Sequence, residues 1–158
     1  MNWRTHKDWK KYIVVHKNVV PKDICEEVER RTLELMAKNN RIQYAMLTDF
    51  DPDIEDDFFK SLSPLFKAIF DPYYEEYART FGLTYGSLKF DSLSITLYCE
   101  DSGKDMHYDS EILTLDGKTG DHGPVGASCP MSSSQDYSGG ILNFPNQDFS
   151  YKPDAGDL

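Results

Sequence analysis

Cysteine is scarce and unpatterned in this chain: Cys25, Cys99 and Cys129 are odd in number, widely spaced, and contain no C-x-x-C pair. That argues against a disulfide framework or a zinc site and suggests reduced thiols in an intracellular setting. Long apolar runs are also missing, so no stretch reads as a membrane span. The residues from Met1 to Lys11 have no apolar h-region; no signal peptide is visible and the expected localisation is cytoplasmic. Basic residues are in deficit, with 17 Lys and Arg against 27 Asp and Glu and a formal net charge of -10. Nucleic-acid binding relies on Lys and Arg neutralising phosphates, so this balance argues against a nucleic-acid partner. There is no repeat and no low-complexity tract. At 158 residues, with 39% hydrophobic and 13% aromatic content, the chain fits one globular domain large enough for its own core.

The first half has the pattern of an α-helical layer. Tyr12-Ile13-Val14-Val15 followed by Asn18 to Cys25 reads as a strand entering a helix, with Pro21 near the helix start where its missing N–H costs nothing. Ile24, Cys25, Val28, Thr32, Leu35 and Met36 form one stripe of an amphipathic helix over residues 22–38, which Lys38-Asn39-Asn40 ends. The acidic run from Asp49 to Asp57 contains Pro52 and reads as a loop into a helix whose first turn favours negative charge. A calcium loop would need a Gly at the turn and a closing Glu, and both are missing. Phe58, Leu62, Leu65, Phe66, Ile69 and Phe70 recur at helical spacing, and Asp71-Pro72 is expected to break the helix. Tyr73, Tyr74 and Tyr77 would then begin another helix, ending near Gly82. This aromatic cluster is expected to be the layer that packs on a sheet.

Leu93, Ile95 and Leu97 alternate with Ser92, Ser94, Thr96 and Tyr98, as on a half-buried strand. After the polar turn from Glu100 to Asp105, His107 opens the next strand. Alternation places His107 and Asp109 on one face with Tyr108 turned away. An imidazole nitrogen and a carboxylate oxygen converging from one strand can hold two adjacent positions of a metal, and a second histidine would complete a facial triad with three positions open. The tripeptide alone does not decide the matter, since His6-Lys7-Asp8 repeats it in a basic terminal stretch with no preceding strand pattern.

The downstream sequence distinguishes His107-Tyr108-Asp109 from that copy. Gly139-Gly140-Ile141-Leu142-Asn143-Phe144 and then Pro153-Asp154-Ala155-Gly156-Asp157-Leu158 come in order. With Tyr98 and Ser102-Gly103 before it, this array resembles the 2-oxoglutarate- and iron(II)-dependent oxygenases, in particular their prolyl-4-hydroxylase-like branch, and it covers roughly the second half of the chain. The resemblance implies an α+β fold with a double-stranded β-helix (jelly-roll) core and N-terminal helices packed on it. Residues 1–158 would be a single oxygenase domain, with 1–85 the helical part and 86–158 the first part of the jelly roll. It also implies that His107 and Asp109 hold Fe(II), that 2-oxoglutarate and O2 are co-substrates with ascorbate a candidate reductant, and that Tyr98 hydrogen-bonds 2-oxoglutarate. The implied reaction hydroxylates a C–H of a small-molecule or peptide substrate, peptidyl proline among the candidates, and decarboxylates 2-oxoglutarate to succinate.

The family pattern places a distal histidine and a basic residue for 2-oxoglutarate after the Gly-Asp-Leu element, and Leu158 is the last residue here. The expectation is therefore a chain truncated at its C-terminus, lacking the last strands and inactive alone. His122, in Gly120-Asp121-His122-Gly123-Pro124, reads as a loop residue, and His16 as a surface or strand-end residue. Between Ser110 and Ser138, Gly117 to Gly123 is expected to be a loop beside the site, while Val125 to Met131 is a candidate strand confined by Pro130 to an edge or bulge. Gly139-Gly140 reads as a close backbone approach or a tight turn into a strand over Ile141 to Phe144. Two other readings stay open: a non-catalytic jelly-roll or cupin-like binding module, and an interaction protein in which His107 and Asp109 are a hydrogen-bonded pair.

Overall fold

Residues 12–38, 45–48, 57–83, 93–98 and 125–158 are described in the computed structural model. They form an α+β chain with two helices and two short antiparallel ribbons. The chain divides into two compact units: the described residues of Met1–Arg31 with Ser128–Leu158, and those of Thr32–Ala127. No described helix is long and apolar enough to cross a membrane.

Helix α1 spans Lys22–Lys38, the range its apolar stripe predicts. Pro21 stands immediately before it, and its carbonyl accepts the N–H groups of Ile24 and Cys25 at 3.1 Å each. The helix thus starts on a residue that has no N–H of its own to leave orphaned. Asp23 lies in the first turn, where the helix dipole favours negative charge. Cys25, Val28 and Thr32, at helical spacing, are buried, while the solvent side carries the Glu27–Arg30 pair, with N–O distances of 2.9 and 2.6 Å.

Helix α2 is a single helix over Asp57–Phe81, with Pro64 and Pro72 inside it. This corrects the expected break at Asp71-Pro72. Each interior proline removes one i to i−4 bond and costs about 3 kcal/mol. Phe59, Leu62, Phe66 and Phe70 are buried along one face, and a fully buried side chain of this size contributes roughly 1.5–3 kcal/mol. The continuous face therefore outweighs the prolines. Lys67 Nζ reaches both oxygens of Asp71 at 2.9 and 2.7 Å, an i, i+4 tie across the turn that Pro72 weakens. The helix ends as the sequence predicts: Gly82 takes φ +67°, and Leu83 N–H donates back to Ala78 C=O at 2.8 Å. That is the six-to-one bond of a left-handed glycine cap.

Strand β1, Ala45–Thr48, pairs antiparallel with β2, Ser94–Leu97, in the register Ala45↔Leu97 to Thr48↔Ser94. The alternation around Ile95 predicts β2; its partner β1 is not anticipated. Strand β3, Leu142–Phe144, forms a hairpin with β4, Phe149–Tyr151. A short 3-10 turn over Pro145–Gln147 and Asp148 at φ 48° close it. Cross-strand pairs hold the register, with Ser150 Oγ donating to Asn143 Oδ1 at 2.9 Å and the Phe144 and Phe149 rings 6.1 Å apart. Gly139 and Gly140 have φ of 73° and 63° and precede β3.

Two further expectations are corrected. Val125–Met131 forms no strand; Pro130 has no N–H to give a ladder, and its carbonyl is taken by Gly156 N–H at 2.9 Å. Nor does Tyr12–Val15 form a strand. Pairing begins one residue later, where His16 and Leu158 exchange both backbone bonds at 2.7 and 2.8 Å, as in an antiparallel pair.

Candidate functional site

His107 and Asp109, with His122 and the Gly117 to Gly123 loop, lie outside the described residues. Tyr98 is described: it directly follows β2 and is 49% exposed, so its side chain is open to solvent. Among the described residues no group of three or more His, Cys, Asp or Glu is placed to hold a metal. Of the sequence elements that carry the resemblance, the two last are described, and they lie in the same unit.

The Pro-x-x-Gly-Asp-Leu element is the anchor of that unit. Pro153, Gly156 and Asp157 are buried. Gly156 takes φ +80°, and a Cβ there would lie 2.3 Å from the Val20 carbonyl oxygen. Only glycine allows both the left-handed turn and the close approach. The Gly156 carbonyl accepts the N–H groups of Val19 and Val20 at 2.7 and 3.1 Å, which sets the next residue against Asn18 and Lys17.

Asp157 has only 3% of its side chain exposed, yet it is fully partnered. Oδ2 accepts Lys17 Nζ at 2.9 Å, the Tyr151 hydroxyl, and Asp154 N–H at 3.0 Å. Oδ1 accepts Asn18 N–H at 3.3 Å. Lys17 Nζ also donates to the Tyr151 oxygen and sits 4.6 Å from the ring centroid. Asn18 has φ 54°, a left-handed conformation that Asn tolerates better than most residues. Burial opposes the Asp157 charge, but the Tyr151 hydroxyl, the Lys17 ammonium and the Asp154 and Asn18 amides outweigh it and hold the carboxyl down at about 2. The Lys17 ammonium is correspondingly held above its ordinary value, first by the bond to Tyr151 and then by Asp157. Burial, followed by the bond to Asp157, raises Tyr151, against which Lys17 acts.

A second carboxylate orders the approach to this cluster. Asp154 Oδ1 accepts Ser134 N–H at 2.7 Å and Ala155 N–H at 3.0 Å, and these two bonds lower its carboxyl below the usual range. Tyr137 OH donates to Pro153 C=O at 2.6 Å, and its ring lies where a Cβ on Gly140 would be, 2.5 Å away. The Gly-Gly element and the Gly-Asp-Leu element are thus joined through one tyrosine. In the same unit, Ser132 Oγ donates to Glu29 of α1.

Sequence reasoning misses the Lys17–Tyr151–Asp157 cluster as a unit. Asp157 stands inside a recognised element, but Lys17 is separated from it by 140 residues, and no local pattern marks that pairing. Chemically the cluster is closed: each charge is neutralised by the others, and it fixes backbone. No family model matches the chain, and no curated protein or solved structure is found to be similar to it.

Proposed function

We propose that this protein is an iron(II)- and 2-oxoglutarate-dependent dioxygenase that hydroxylates a C–H bond of a small-molecule or peptide substrate. The observation that carries the reading is the ordered array of Tyr98, His107-Tyr108-Asp109, Gly139 to Phe144 and Pro153 to Leu158. It is supported by the last two elements being bound to each other, by way of Tyr137 and Pro153. The coarse α+β architecture is compatible with the proposed jelly-roll core.

The donor set suits the metal: one imidazole nitrogen and one carboxylate oxygen two residues apart in sequence, joined by a second histidine, would make the facial triad preferred by non-haem iron(II). Iron and 2-oxoglutarate supply the oxidising chemistry when bound. The chain's share is to hold and orient. His107 and Asp109 would hold the metal, and the Tyr98 hydroxyl would donate to a carboxylate oxygen of 2-oxoglutarate.

The test is Fe(II)-dependent conversion of 2-oxoglutarate to succinate by the full-length protein. It is expected to be lost in His107→Ala and Asp109→Ala, with Tyr98→Phe raising the KM for 2-oxoglutarate by roughly threefold to tenfold, the worth of one hydrogen bond. Turnover that persists in His107→Ala would overturn the assignment of the metal site, and a full-length protein with no conversion at all would leave the binding-module reading in its place.

A further inference from the structure

We draw no further inference here: the strongest candidate, the part-exposed apolar face of the β3–β4 hairpin on which Leu142 pairs with Tyr151 and Phe144 with Phe149, carries nothing, because nothing in the structure shows what covers it.

Discussion

The Asp157 carboxylate accepts the Lys17 ammonium at 2.9 Å across 140 residues of sequence, and the two sides of this pair differ in worth. The Lys17 side chain is 57% exposed and that of Asp157 only 3%. An exposed partner contributes little because water screens it. A buried acceptor whose donors are left behind costs much more. Lys17→Met is therefore expected to be the milder of the two losses. Asp157→Ala, which orphans the Asn18 and Asp154 amides and the Tyr151 hydroxyl, is expected to cost about 2–4 kcal/mol. Urea unfolding of the two variants checks the asymmetry, and equal losses would contradict it.

The same carboxylate sets an acid limit. Its folded-state value of about 2 lies below the 3.8 of an ordinary Asp, so the charged form is favoured by folding. The stabilisation is fully present above about pH 4 and is lost as pH falls through about 2. It amounts to on the order of 2 kcal/mol. Unfolding followed between pH 5 and pH 2 should show this loss in the native chain and a flatter profile in Asp157→Asn.

Two glycines with left-handed backbones are expected to respond differently to alanine. At Gly82 a Cβ meets nothing within 4 Å, so Gly82→Ala bears only the conformational cost, roughly 1–2 kcal/mol. At Gly156 the new atom would lie 2.3 Å from backbone oxygen of Val20. Neither backbone can yield cheaply, and Gly156→Ala is expected to cost about 3 kcal/mol or more. Thermal melts of the two proteins, measured side by side, distinguish them.

Pro72 lies inside α2, and replacing it restores an N–H to the helix ladder. Pro72→Ala is expected to raise stability by about 1–3 kcal/mol. Lys67→Ala, which removes a surface pair, is expected to lower it by less than about 1 kcal/mol. A loss of stability in Pro72→Ala would contradict this expectation.

The parts of the fold legible in the sequence are those specified by neighbours in sequence. The stripe through Cys25, Val28 and Thr32 marks α1, Gly82 marks the end of α2, and the alternation around Ile95 marks β2. Asp71-Pro72 misleads because a local breaker competes with tertiary burial, and the apolar face through Phe66 and Phe70 wins. Strand β1 has Ala45, Met46 and Leu47 in a row, with no apolar–polar alternation to mark it. Lys17 with Asp157 is invisible for a different reason: the partners are brought together only by the fold. The Pro-x-x-Gly-Asp-Leu element itself is legible, and Gly156 gives the physical reason for its glycine. His107 and Asp109 rest on the ordering of motifs alone.

Their assignment is tested most directly by anaerobic addition of Fe(II) and 2-oxoglutarate to the full-length protein, followed by visible absorption. Chelation of iron(II) by 2-oxoglutarate in a site with open positions gives a charge-transfer band. The account predicts that the band develops to a stoichiometry of one iron per chain and is lost in both His107→Ala and Asp109→Ala. An absent band, or one that both variants retain, would contradict it.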